Sequence, residues 1–169
     1  NQFIEPRRRH WYLTHSITNT ARTLGINNSN NAGIPLTQPE DAAPEILDVE
    51  FNPVSGNQAH EFLVLTNRSG LALDLSGWKL DGAVKFTFHP GTVLPSNSVV
   101  YVSPDVRQFR ARTTGPRGGQ GLFVVGPYSG QLSARGETLT LLNPRGKSAH
   151  QLTYPGNPSP AQRWLRITE

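Results

Sequence analysis

The hydrophobic and polar positions between residues 44 and 156 follow the short periods of β-strands. Apolar runs or strict alternation of strand length are separated by clusters of Gly, Pro, Asn and Ser. The pattern predicts nine strands, near 45–51, 60–67, 71–75, 77–81, 84–89, 98–103, 121–126, 137–142 and 147–154. Nine short strands with regularly spaced turn signals predict an all-β fold, an immunoglobulin-like antiparallel β-sandwich.

The stretch EFLVLTNRSGLALDLSGWKL, residues 61–80, dominates this pattern. An apolar run, a turn cluster at 67–70 and the alternating leucines of 71–75 predict a hairpin. Turn signals at Ser76-Gly77 and Asp81-Gly82 then predict two further reversals. We expect a sheet packed on one face, with its apolar side chains buried together.

These motifs together resemble the lamin tail domain, in particular its secreted bacterial members. The resemblance rests on EFLVLTN, LDLSGW and FTFHPGTVLP, continues through LSARGETLTLL to the closing LTY, and covers residues 44–156. It implies an immunoglobulin-like β-sandwich with a binding or scaffolding role and no catalytic residues. Family members often carry a second glutamate where this chain has Val64, so the chain lacks that carboxylate.

The same resemblance defines a core signature. Its members are Glu61, Phe62, Leu65, Leu75, Gly77, Trp78, Phe86 and Phe88. Flanking leucines favour a core position for the Trp78 ring, and an exposed ring that stacks on a ligand is the alternative. The same two interpretations apply to Phe86 and Phe88.

Outside the sandwich, we expect an N-terminal extension and polar linker at residues 1–43 and a C-terminal tail at residues 157–169. A short helix is expected at 6–15, because Pro6 suits a first helical turn. The string RRRHWYLTHS looks like the segment that follows a spore-coat-protein-H-type kinase-like domain in large bacterial surface proteins. Asn- and Pro-rich sequence at 18–44 is typical of a linker. We expect the chain to be a piece of a longer secreted or cell-surface protein.

Composition excludes several kinds of chemistry. The chain of 169 residues has no cysteine, which excludes disulfides, thiolate metal sites and cysteine nucleophiles. Its five histidines show no metal-binding spacing, and no nucleotide-binding or hydrolase motif occurs. There is also no apolar run long enough to span a membrane as a helix. We therefore expect no enzyme activity, cofactor, metal or small-molecule substrate.

Positive charge is concentrated toward the C-terminal end. Residues 106–169 hold nine basic side chains against two acidic ones, within a net charge of +4 for the whole chain. The stretch 104–121 is long for a strand connection, and such connections are often functional or mobile. The candidate binding loop in it consists of Arg107, Phe109, Arg110, Arg112 and Arg117. A second candidate patch is Arg7, Arg8 and Arg9, although three adjacent arginines more often form an ordinary solvated surface than a nucleic-acid site.

Two functions follow from these observations. The first is a non-catalytic module that engages a protein, a glycan or the cell envelope. The second is sequence-independent binding of nucleic acid or another polyanion, since arginine recognises phosphate with a planar fork of donors. Nothing in the sequence would supply recognition of individual bases.

Overall fold

The computed structural model describes residue 38 and residues 43–156. The predicted helix at 6–15, the Arg7–Arg9 patch, most of the linker and the tail at 157–169 lie outside the described residues. Eleven strands form the described part: β1 (Glu45–Glu50), β2 (Phe62–Asn67), β3 (Leu73–Asp74), β4 (Lys79–Gly82), β5 (Val84–Thr87), β6 (Val93–Leu94), β7 (Ser98–Val102), β8 (Val124–Val125), β9 (Ser129–Gly130), β10 (Gly136–Leu142) and β11 (Ser148–Pro155). A 3₁₀ turn (Gln58–His60) precedes β2, and a short helix, α1 (Val106–Arg110), follows β7.

The strands form two main sheets and a small ribbon. The front sheet has the order β1-β2-β7-β8, with β8 parallel to β7, and the back sheet has the order β11-β10-β4-β5-β9. Strands β3 and β6 pair as a two-stranded ribbon. The prediction of an immunoglobulin-like β-sandwich is confirmed.

The main core lies between the two sheets and is built by alternation along the strands. On β2, Leu63 and Leu65 point inward and are fully buried, opposite Val102 and Val100 of β7. The back sheet contributes in the same way, and the fully buried members of the core include Leu73, Leu75, Val84, Leu94, Leu139 and Leu141. A two-residue period with one apolar face is what places these side chains together.

The prediction of a hairpin between β2 and β3 is wrong. β2 pairs with β1 and β7, whereas β3 pairs with β6. The buried Asn67 explains the change of partner, because its amide donates to the carbonyls of Leu71 (2.7 Å), Leu94 (3.1 Å) and Pro95 (3.0 Å). These bonds join the end of β2 to the β3–β6 ribbon, and the chain leaves the front sheet there.

The hairpin formed by β4 and β5 agrees with the predicted reversal at Asp81-Gly82. Lys79 pairs with Thr87, and Leu80 pairs with Phe86. Gly82 adopts φ +109°, and a Cβ there would lie 2.4 Å from the Thr138 carbonyl oxygen of β10. Only glycine therefore fits where this hairpin lies against its neighbour.

A third difference concerns the face of the front sheet that points away from the back sheet, here called the outer face. The sequence predicts a sheet packed on one face, but β2 is buried on both, since Phe62 and Val64 on the outer face are also covered. The cover comes from residues 104–121, which the sequence predicts as an irregular connection. Helix α1 lies within this segment.

Candidate functional site

The segment 104–121, which we call the cap, joins β7 to β8 and begins with a well-formed helix start. The side chain of Asp105 accepts hydrogen bonds from the amides of Arg107 (2.8 Å) and Gln108 (3.0 Å). An aspartate in this position satisfies amides that have no partner inside the helix, and so it fixes where α1 begins. The helix ends one turn later, where the Ala111 amide donates to the Arg107 carbonyl (3.0 Å).

Phe109 fastens the cap to the outer face. Its side chain is fully buried, and its ring centroid lies 5.6 Å from that of Phe62, edge to face, and 5.4 Å from that of Tyr101. Val64 completes this second, smaller core. The sequence places Phe109 in the candidate binding loop, but its ring is buried against the sheet and does not face a partner.

Arg112 is the second fastening point and also departs from the prediction. Its guanidinium lies 4.9 Å from the Phe62 ring centroid and 5.9 Å from that of Phe109, and it donates a hydrogen bond to the His60 carbonyl. Burial lowers the pKa of Arg112, since the charged group loses hydration. A cation over aromatic rings stabilises the contact between cap and sheet. Arg112 is thus a structural residue and not part of an accessible patch.

Three of the predicted arginines do point to solvent: Arg107, Arg110 and Arg117. The stretch after α1 folds back on the helix, because the Gly118 amide donates to the Arg110 carbonyl (2.9 Å). A Cβ at Gly118 would lie 2.5 Å from that oxygen, so the close approach requires glycine. The Arg117 guanidinium also donates to the Thr113 carbonyl (3.0 Å). The cap therefore presents three exposed arginines on one segment that is held at several points.

The chemistry of the described residues does not include a metal centre. No group of three or more His, Cys, Asp or Glu side chains in this part of the chain is arranged to hold a metal ion. Within the same residues, no helix is both long enough and apolar enough to cross a membrane.

The comparison with protein families decides which sandwich this is. The lamin tail domain matches residues 39–156, which is more than half of the chain. The chain belongs to the lamin tail domain family. No curated protein matches it.

The lamin tail fold is a generic immunoglobulin-like module that is typically non-catalytic. In this lamin tail domain, the apolar side chain of Val64 on β2 packs beneath Phe109. An ionised carboxylate there would be buried beside aromatic rings and would lose its hydration, at a large cost in free energy. The apolar residue and the cap that covers it therefore fit each other.

Glu61 is a buried carboxyl at the start of β2, and the sequence did not single out its surroundings. Its Oε2 accepts hydrogen bonds from the Leu132 amide (3.3 Å) and the Tyr128 hydroxyl (3.4 Å). Burial raises the pKa of Glu61, and these two donors offset part of the increase. Burial and the Glu61 charge raise the pKa of Tyr128 in turn. With its side chain enclosed in this way, Glu61 joins β2 to the segment before β10 and offers no accessible acid or base.

The remaining signature residues lie mostly in the main core of the lamin tail domain. Leu65, Leu75, Phe86 and Phe88 are buried there. Trp78 is half-buried and packs against the edge of this core. Gly77 adopts φ +75°, and a Cβ added there would lie 3.7 Å from the Pro144 Cβ.

Proposed function

We propose that this lamin tail domain is a non-catalytic binding module of a larger secreted or surface-attached bacterial protein. Its partner is a protein or envelope component with an anionic surface, and the contact is made by Arg107, Arg110 and Arg117 of the cap. The observation that carries the proposal is the pairing of buried anchors with exposed charges. Phe109 and Arg112 hold the segment in place, and the three arginines stand outward from it.

Preorganisation is the physical reason to prefer the cap over other charged parts of the surface. Side chains on a segment that is already ordered lose less conformational entropy on binding than those on a mobile loop. Arginine also forms bidentate hydrogen bonds with carboxylates and phosphates. The upstream kinase-like domain and the extracellular location belong to the same proposal, and the resemblance of RRRHWYLTHS to such proteins supports them.

Co-sedimentation with purified bacterial envelopes tests the proposal. A triple variant, Arg107→Ala, Arg110→Ala and Arg117→Ala, should bind roughly tenfold more weakly, since exposed ion pairs contribute up to about 1 kcal/mol each. A matched triple variant removes the same charge from the back-sheet side, at the exposed residues Lys85, Arg135 and Lys147. It should bind as the wild type does.

Equal weakening in both triple variants would show that net charge alone is responsible, and would contradict a site on the cap. Absence of any envelope binding by the wild type would remove the proposed partner. Catalytic turnover by the domain that one substitution abolished would contradict a purely binding role.

A second candidate function, binding of nucleic acid or another polyanion, is favoured by the same exposed arginines. The structure changes its expected strength, because the buried Arg112 is not accessible to phosphate. Three phosphate contacts predict a log–log salt dependence with a slope of about −2.7 on duplex DNA, against about −3.6 for four. Retention on heparin at low salt should be lost in the cap triple variant.

This second function has its own decisive outcome. A slope that stays the same in the cap triple variant, or no retention on heparin and DNA by the wild type, would exclude it. If the domain binds envelopes but is retained on neither heparin nor DNA, the first proposed function, binding of a protein or envelope component, is supported and the second is excluded.

A further inference from the structure

The β3–β6 ribbon has an edge that no described strand pairs. On its inner side, Leu73 pairs with Leu94, and the Leu75 amide donates to the Thr92 carbonyl (2.8 Å). Successive residues of a strand direct their backbone groups to opposite sides, so the Asp74 amide and the Ala72 carbonyl face away from β6. An open strand edge of this kind is a template for adding further chain.

The side chain of Gln38 occupies this edge. Its Oε1 accepts a hydrogen bond from the Asp74 amide (3.1 Å), and its Nε2 donates one to the Ala72 carbonyl (3.4 Å). A glutamine amide carries the same donor and acceptor groups as a backbone peptide unit. The Gln38 side chain therefore makes the two bonds that the N–H and C=O groups of one residue in an added strand would make.

We propose that the outer edge of β3 is a docking site for the linker of this same chain, fastened by Gln38. The family match begins at residue 39, so the contact comes from just outside the matched domain. It brings together residues that are 34 and 36 positions apart in the sequence.

The consequence is a defined point of attachment for the residues before Gln38. Ala43 comes five positions after Gln38, so the two residues can lie at most about 18 Å apart. The chain therefore reaches β1 from the β3–β6 ribbon. The Gln38 contact thus determines the side of the sandwich to which the N-terminal part of the protein is connected. A linker without such a contact would not determine that side.

Amide hydrogen exchange, measured by NMR on the full chain, tests this docking site. Gln38→Ala should accelerate exchange of the Asp74 amide by about fivefold, the value of one hydrogen bond of ordinary net strength. Exchange of the Leu75 amide should not change, because Thr92 of β6 holds it. An unchanged Asp74 amide would overturn the proposal. Equal acceleration of both amides would do so too, since Gln38 would then act on overall stability.

Two further variants sharpen this test. Gln108→Ala removes an exposed glutamine from α1 and should leave both amides at the wild-type rate. Gln38→Glu keeps the acceptor for the Asp74 amide and loses the donor to the Ala72 carbonyl, so Asp74 should exchange at an intermediate rate. Wild-type exchange in Gln38→Glu would show that the bond to Ala72 contributes nothing, and would contradict the two-point docking.

A spin label gives an independent measurement of proximity. The chain has no cysteine, so Thr37→Cys provides a unique attachment site. The label should broaden the amide signals of Asp74 and Leu94, and Gln38→Ala should restore them. Sharp signals at both amides in the labelled chain would overturn the proposal.

Discussion

At the scale of single residues, the buried carboxyl of Glu61 makes the stability of the domain depend on pH. Burial raises its pKa above the ordinary value of 4.5. The folded protein therefore binds this proton more tightly than the unfolded chain does. The free energy of unfolding should fall as pH rises from 4.5 through the raised pKa, and this contribution is level on either side of that window.

Glu61→Gln has no carboxyl group at this position, so its free energy of unfolding should not show this decrease. Relative to the wild type, the variant should therefore become more stable as pH rises above 4.5. Urea denaturation at a series of pH values measures the difference. Tyr128→Phe deletes a hydrogen-bond donor to the carboxylate, which should raise the pKa of Glu61 further. In this variant the free energy of unfolding should therefore continue to decrease to higher pH. Parallel pH profiles for the wild type and Glu61→Gln would contradict this assignment.

The residue scale also shows why the candidate site was only partly predictable. Arg107, Arg110 and Arg117 are exposed, as expected of a charged stretch, but Phe109 and Arg112 are buried. Their burial depends on a helix that Asp105 starts. Once that helix is assumed, the spacing of three residues from Val106 to Phe109 and on to Arg112 indicates one shared face. Without the helix, the same residues look like members of one patch.

At the scale of elements, the cap and β2 depend on each other, and Val64 tests that dependence. Val64→Glu would place a carboxylate beneath Phe109, at a cost of roughly 3 kcal/mol in the free energy of unfolding. We expect the cap to detach, since separation lets the carboxylate reach water. The amides of Phe109 and Ala111 should then lose protection from hydrogen exchange, whereas the Leu65 amide on β2 keeps it.

Val64→Ala is the matched control for this prediction. It leaves a small cavity without adding charge, so the cap should stay in place at a cost of about 1 to 2 kcal/mol. Full protection of the cap amides in Val64→Glu would mean that the carboxylate finds a partner there. The interdependence of cap and sheet would then be wrong.

Element pairing was predictable only where it is local. The β4–β5 hairpin follows from a turn signal between two alternating runs. The pairing of β3 with β6 does not, because it depends on contacts that Asn67 makes with residues up to 28 positions away. Strands of two residues, such as β6 and β9, are also too short to show an alternating pattern.

At the scale of the whole molecule, the main core lies within residues 46–154, so the sandwich should fold without the residues outside 43–156. We expect the fragment 43–156 to unfold in urea in one cooperative transition. Its free energy of unfolding should lie within about 1 to 2 kcal/mol of that of the full chain, since Gln38 is the one described residue that it lacks. Trp78 is its only tryptophan and reports the transition by fluorescence. A broad transition, or a much larger loss, would show that the excluded residues pack on the sandwich.

The class of fold was predictable at this scale, since regular alternation and turn spacing over about a hundred residues leave few other architectures. The covering of the outer face was not. It depends on a segment whose apolar content is small and whose position becomes visible only when β2 is found buried on both sides.

The central claim is that the cap is an ordered binding surface that displays Arg107, Arg110 and Arg117. NMR chemical-shift mapping of the isotope-labelled domain tests it most directly, with a heparin oligosaccharide as a soluble anionic probe. The account predicts shifts that saturate and cluster at residues 106–118, with no change in the back-sheet strands β10 and β11. Shifts centred on the back sheet, with the amides of residues 106–118 unchanged, would contradict it.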